Sequence, residues 1–259
     1  MKVYAELIQR VLTNGDLVKG RNGYTLQLVG EQLKWQVTST SMLFPTGRKL
    51  FLDGIKGELA ALVRKPKHIN DFKKWGCNYW DQFGDELGKL KLDYGNAWYD
   101  NINQIARVKK ALMSNKRYAR DLMIVGWRPH LLDKLTLPCC HFAYQFICDS
   151  DDNLHLIWYQ RSADIMVGIP SDIVLANLML IAMGYETQLY PMSITMQLGS
   201  AHIYKKHIAN AKKVLKIERT LPNEYTYYST NNLNFSRFKP DMIDIHYEPR
   251  KPIPFECVR

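Results

Sequence analysis

Residues 137–164 read LPCCHFAYQFICDSDDNLHLIWYQRSAD. Two strands are predicted here, 141–148 and 154–160, each rich in aromatic and branched residues. The acidic stretch Asp149-Ser150-Asp151-Asp152-Asn153 joins them, and such residues favour a tight turn. Both outer ends of this pair carry chemistry. A Cys followed by a His, as Cys140 and His141 are at the entrance of the first strand, marks a candidate nucleophile. For a cysteine taken alone, a small buried thiol is the plainer account. At the exit of the second strand, Arg161 and Ser162 supply a bidentate fork and a hydroxyl, suited to a phosphate monoester.

Outward from this pair the pattern alternates between helices and strands. Tyr4, Leu7, Ile8, Val11 and Leu12 repeat at helical spacing up to Asn14-Gly15. Residues 24–29 and 32–37 read as strands joined at Gly30. Residues 50–63 and 69–75 read as helices, parted by the basic Arg64-Lys65-Pro66-Lys67. Ile102, Ile105, Val108 and Leu112 mark another helix, and 122–127 another strand. Residues 172–183 form an apolar helix capped by Ser171 or Asp172. A strand over 192–198 and a helix over 202–214 with a basic outer face follow, then a Pro-rich, extended tail from Pro240. There is no internal repeat, low-complexity tract or linker. The expectation is one α+β domain over 1–259 with a mixed, mainly antiparallel sheet.

Composition narrows the function. Apolar residues at 46% and charged residues at 23% exclude disordered and fibrous classes. Lys and Arg outnumber Asp and Glu by 35 to 25, and the net +10 suits an anionic partner such as nucleic acid, nucleotide or phosphorylated cofactor. The longest apolar run, within 173–183, is broken by Asn177 and falls short of the ~18 residues of a membrane span. Glu6, Gln9 and Arg10 stand where a signal peptide needs apolar residues. Cys77, Cys139, Cys140, Cys148 and Cys257 lack metal-type pairing, so free thiols in a reducing cytoplasm and no metal are expected.

Pro138, Cys140 and His141, followed by Gln160-Arg161-Ser162-x-Asp164, resemble the thymidylate synthase superfamily. The resemblance continues through Gly168-Ile169-Pro170-Ser171-Asp172-Ile173 and Gly199-Ser200-Ala201-His202-Ile203-Tyr204. Upstream it takes in Arg21-Asn22-Gly23, Glu58-Leu59, Tyr79-Trp80-Asp81 and Tyr94-Gly95-x-x-Trp98. It implies a homodimer joined through a sheet face, which transfers a one-carbon unit from 5,10-methylenetetrahydrofolate to carbon 5 of a pyrimidine nucleotide. Carbon 5 is a poor nucleophile until a thiolate adds at carbon 6. By resemblance Cys140 makes that addition, Glu58 manages protons through ordered water, and Tyr94 assists removal of the carbon 5 proton. Trp80 stacks near the folate and Asp164 hydrogen-bonds its pterin. Arg21, Arg161 and Ser162 match the phosphate site, and His202 and Tyr204 match the ligands of the sugar hydroxyl. Relatives add an Arg-Arg pair from the neighbouring subunit. Here that pair is Arg120-Asp121, so the second arginine is lost, and Arg117 is a candidate to replace it. Read singly, Glu58 is a surface carboxylate, Trp80 and Tyr94 are core aromatics and Asp164 is a cap; the ordered set favours the functional roles.

Uracil-specific members carry Asn where this chain has Asp172. An amide offers one donor and one acceptor, matching the uracil carbonyl and ring N–H, and cytosine reverses that edge. A protonated carboxyl, or a carboxylate facing a protonated ring, complements the reversed edge. The alternative for Asp172 is a helix cap without base contact. Members with Asp here are deoxycytidylate hydroxymethylases, typically of phage origin, which implies the host cytoplasm. Gly199-Ser200-x-His202-x-Tyr204 also resembles them more than the synthases, which usually have Asp at the second position. The expected products from dCMP are 5-hydroxymethyl-dCMP and tetrahydrofolate. The end Phe255-Glu256-Cys257-Val258-Arg259 is more charged than the apolar tail that closes synthases over the folate. A reductive methylase on dUMP or dCMP, yielding dihydrofolate, is the alternative within the superfamily. A nucleic-acid-binding protein using the +10 charge is the alternative outside it, and the intact set of Cys140, Arg161, Asp164, His202 and Tyr204 makes such binding secondary.

Overall fold

Tyr4, Leu7, Ile8 and Val11 are all buried, so the first helix, α1 (Lys2–Asn14), lays one face on the core as its spacing requires. The computed structural model describes residues 1–258. Its main sheet has the order β1 (Asp16–Gly20), β2 (Gly23–Gln36), β7 (Tyr190–Tyr204), β6 (Asn153–Asp164), β5 (His141–Cys148) and β4 (Met123–Val125). Every pairing is antiparallel except β6 with β7. A parallel pair needs a crossover, and the long helix α5 (Gly168–Thr187) supplies it. One face of the sheet is apolar with period two: Leu154, Leu156 and Trp158 on β6, Ile194, Met196 and Leu198 on β7, and Leu33 and Trp35 on β2. Helices α1 and α5 lie on this face, and α2 (Leu52–Leu62) and α4 (Gln104–Leu112) pack against α5. The expected α+β fold with a mainly antiparallel mixed sheet is present.

Several boundaries differ from the expectation, each because a long-range contact outweighs a local pattern. Residues 24–29 and 32–37 belong to one strand: Gly30, at φ +75°, interrupts the pattern, but Val29 pairs with Ser200 and Glu31 with Leu198 in the same register on either side. Residues 202–204 are strand, not helix, because β7 runs on beside β2 and β6; the helix with the basic outer face, α6, spans Ile208–Thr220. Neither Ser171 nor Asp172 caps α5. That helix begins four residues earlier, and Asp164 Oδ1 accepts hydrogen bonds from the amides of Met166 and Val167 just ahead of it. Asn177 does not break the apolar segment. It donates to the carbonyls of Leu43 and Ile173 at 2.9 Å and accepts from Trp35 Nε1 at 3.1 Å, so a polar residue is satisfied deep in the core. The helix therefore reaches 20 residues, long and apolar enough by length to cross a bilayer, yet 78% of its most apolar window is buried in the fold. A second sheet, β3 (Ser41–Met42), β8 (Thr226–Thr230) and β9 (Ile243–Ile245), was not legible in the pattern, and β9 interrupts the predicted extended tail.

Residues 246–258 then run without regular structure. They are tied to α6 and the turn before it by Asn210 donating to the Pro254 carbonyl, a Lys206–Glu256 pair at 2.6 Å, and Phe255 edge-on to His207. Arg259, the last residue of the charged end, lies outside the described residues.

Candidate active site

The site forms where β5 begins and β6 ends. Cys140 precedes β5, and its amide donates to the Tyr94 hydroxyl at 2.5 Å. Tyr94 is placed by its neighbour: Gly95 has φ +71°, and a Cβ there would lie 2.1 Å from the Leu62 carbonyl, so only glycine lets the chain pass α2 at that point. Arg161 leaves the far face of β6 and folds over the sheet end. Its Nε donates to the Cys139 carbonyl at 3.0 Å and its Nη2 to the Pro138 carbonyl at 2.9 Å, with the guanidinium over the Trp127 ring. Gly199 on β7 allows this close approach, since a Cβ there would sit 2.8 Å from the Arg161 carbonyl.

Burial pushes the Cys140 thiol up, opposed by its hydrogen bond to Tyr94 and by the Arg161 charge, while Asp172 and Asp164 add to the rise. These four groups therefore converge on one sulfur, with the cation favouring the thiolate. Cys139 is fully buried, its thiol pushed up to about 12 mainly by desolvation, and its Sγ points at the Gly126 carbonyl at 3.4 Å. Of the two thiols, Cys140 is the more exposed and the one that meets Tyr94.

Asp172 sits one turn into α5, mostly buried with its side chain 13% exposed, and accepts from Gln160 Nε2 at 2.8 Å. Desolvation is the main cause that raises its carboxyl to about 8, helped by the charges of Glu58 and Asp164 and opposed by Gln160. His141 Nε2 lies 3.9 Å from Asp172 Oδ1, but burial lowers the imidazole to about 3. At neutral pH both groups are mainly uncharged, so this contact is not an ion pair despite its distance. The other ring nitrogen of His141 shares a 2.5 Å hydrogen bond with Tyr144 Oη.

Glu58 is not a surface carboxylate. It is buried on α2, receiving Tyr79 Oη at 2.5 Å and Trp80 Nε1 at 2.7 Å, and desolvation raises its carboxyl against those two bonds. Trp80 is 5% exposed, its ring stacked on Phe72 and edge-on to Tyr94. Its direct partner in the fold is thus Glu58. Asp164 closes β6 beside His202 of β7, and Ser162 lies beside Ser200. His202 and Tyr204 are adjacent, rings 5.5 Å apart, and Tyr204 lines a cleft of about 400 Å³ with Asn22, Gly23, Tyr24, Lys205, Lys206 and Val258. Arg21 stands exposed in the β1–β2 turn at the same edge, its Nε donating to Asn22 Oδ1.

Arg120 is not brought to this site within its own chain. Its carbonyl accepts from Gln145, five residues along β5 from Cys140, and at ~3.3 Å per residue that is roughly 17 Å. Arg117 pairs within the chain with Asp152 at 2.7 Å in the β5–β6 turn. Asp121 is turned to Arg107 of α4 at 3.3 Å. Gln160, Tyr79 and Tyr144 join the site without a role read from the sequence, and His141, read there only as the neighbour of Cys140, is buried against Asp172 and Tyr144. Gln160 had a signal: it is the polar member of the buried row Leu154, Leu156, Trp158, Gln160. Among the described residues no group of three His, Cys, Asp or Glu side chains is placed to hold a metal ion.

A thiol near a cation, a phenol on its amide and a buried carboxylate, beside an edge carrying Arg21, Lys205 and Lys206, are the groups that covalent activation of a phosphorylated heterocycle requires. The family model described as thymidylate synthase matches residues 2–258, and on that match and this geometry the chain belongs to the thymidylate synthase family.

Proposed function

We propose that this folate-dependent one-carbon transferase acts on dCMP, adding the methylene of 5,10-methylenetetrahydrofolate at carbon 5 and finishing with water, to give 5-hydroxymethyl-dCMP and tetrahydrofolate. The observation that carries the reading is Asp172, a mostly buried acid held mainly protonated at neutral pH and fed by Gln160. Either oxygen of a neutral carboxyl carries the proton, and either accepts the Gln160 N–H. An amide has no such freedom, since only its oxygen can face Gln160. The acid can therefore present the donor that cytosine N3 needs and the acceptor that its exocyclic amine needs.

In this reading Cys140 adds to carbon 6, Tyr94 lies where the carbon 5 proton leaves, and Glu58, held by Tyr79 and Trp80, relays protons. Arg21, Arg161 and Ser162 take the phosphate, His202 and Tyr204 the sugar hydroxyl, and Asp164, whose Oδ2 makes no hydrogen bond among the described residues, takes the pterin, with Trp80 near the folate. The folate, when bound, supplies the one-carbon unit.

The enzyme acts as a homodimer. The outward face of β5–β7, with Ile147, Ile157, Tyr159 and Gln197 partly exposed, carries no helix, and Arg120 is too far to serve its own Cys140. The unbridged thiols of Cys77, Cys139, Cys140 and Cys148 fit a reducing cytoplasm. Mass spectrometry of the product from dCMP and methylenetetrahydrofolate tests the reaction. A gain of a hydroxymethyl group without dihydrofolate absorbance is expected; a methyl product with matching dihydrofolate overturns it in favour of reductive methylation.

A further inference from the structure

Three chain segments meet behind the nucleophile. Residues 91–94 lie beside 136–140: the Thr136 amide donates to the Lys91 carbonyl at 2.9 Å, the Lys91 amide donates to Thr136 Oγ1 at 3.0 Å, and Leu92 bridges Leu137. This brings Tyr94 to the Cys140 amide. Residues 126–128 form the third segment. The Gly126 amide donates to the Phe142 carbonyl at 2.6 Å, its carbonyl faces Cys139 Sγ, and Trp127 lies under the Arg161 guanidinium.

One ion pair joins the first and third segments. Asp93, fully buried, accepts from Arg128 Nε at 2.7 Å, from its Nη2 and, at 3.3 Å, from its backbone amide. Arg128 Nη1 reaches Asp100 Oδ2 at 3.4 Å, so one guanidinium spans two carboxylates. Its immediate neighbours are the residues that touch the site, Tyr94 after Asp93 and Trp127 before Arg128. A fork held at three donors fixes direction as well as distance, which a single ammonium cannot do.

We propose that the Asp93–Arg128 pair is a positioning device that sets the Tyr94 hydroxyl against Cys140. Neither residue touches the reacting atoms; both act through Tyr94. The inference rests on the reading of Cys140 as nucleophile and Tyr94 as its proton-handling partner.

The test is a double-mutant cycle between Arg128→Lys and Tyr94→Phe, on full-length protein. Arg128→Lys should lower kcat about 10- to 100-fold, the scale on which a misplacement of ~1 Å acts, with the nucleotide KM held. The tritium isotope effect at carbon 5 should rise, because the proton transfer served by Tyr94 becomes slower. In the Tyr94→Phe background the same change should cost nothing further. As a readout that needs no turnover, the iodoacetamide alkylation rate of Cys140 should shift in Arg128→Lys as it does in Tyr94→Phe, and shift no more in the double variant. If Arg128→Lys does not fold, Asp93→Asn replaces it in the cycle. Losses that multiply across the cycle, an unchanged isotope effect, or activity that merely follows the folded fraction overturn the proposal. Absence of tritium release by the wild type from any pyrimidine nucleotide overturns the functional reading instead, and the alkylation cycle still decides the pair.

Discussion

Replacing Asp172 by Asn keeps shape and the bond from Gln160 while removing a proton that burial makes hard to lose. With two mispaired buried groups at ~1–3 kcal/mol each, kcat/KM for dCMP should fall at least ~100-fold and turnover of dUMP should rise. Initial rates on both nucleotides check this; an unchanged preference reduces Asp172 to a packing residue. The pH dependence follows from the direction of the shift. The carboxyl rises from 3.8 to about 8 on folding, so the folded state keeps a proton that the unfolded chain gives up. The stability contributed by this group is full below pH ~4 and is lost as pH rises through ~8. Wild-type Tm should therefore fall relative to Asp172→Asn between about pH 5 and about pH 9. Wild-type activity on dCMP should also decline above about pH 8 as the neutral acid disappears. At the nucleophile, Cys140→Ser should abolish turnover while nucleotide binding persists, and Cys139→Ala should keep most of the activity. Reversed outcomes in tritium release from carbon 5 would move the nucleophile by one residue.

Among the elements, α5 carries the most of the core and is the least amphipathic, because sheet, α2 and α4 surround it. Its one deeply buried amide, Asn177, ties it to Trp35 of β2 and to Leu43. Asn177→Leu keeps the volume but leaves the Trp35 N–H and the Leu43 carbonyl unsatisfied. At ~1–3 kcal/mol for each group, the loss should be about 2–5 kcal/mol, read as a lower urea midpoint at unchanged m-value. Little change would show that water replaces the amide. The register of β7 sets the site in the same way: His202 and Tyr204 reach Asp164 and Arg21 because β7 continues straight past Gly199 between β2 and β6.

For the whole molecule, the distance of Arg120 from Cys140 along β5 sets the experiment. Arg120→Ala and Cys140→Ser proteins should each be inactive. Mixed and allowed to exchange subunits, they should recover activity, since one heterodimer site draws both intact residues. The wild type should sediment as a dimer. Inactive parents whose exchange brings no recovery would show that Arg120 acts in its own chain, and an active Arg120→Ala parent would show that another residue, such as Arg117, fills its place.

The hairpin of residues 137–164 was legible in the sequence, and so were the candidates Cys140, Arg161 and Asp172, because strand alternation, turn chemistry and reactive residue types are local properties. Family resemblance, carried by short motifs in order, supplied the reaction class. Only tertiary structure decided that Glu58 is buried behind Trp80, that Asp172 lies inside α5 against Gln160 rather than capping it, and that residues 202–204 are strand. Only it decided that Arg117 pairs with Asp152, and that Asp93 and Arg128 meet at all. Each of these depends on desolvation or on partners far apart in the chain: 22 residues between Glu58 and Trp80, 35 between Asp93 and Arg128, 175 between the paired Gln27 and His202. Spacing along a chain does not report the dielectric around a carboxyl or the partner of a guanidinium; packing does.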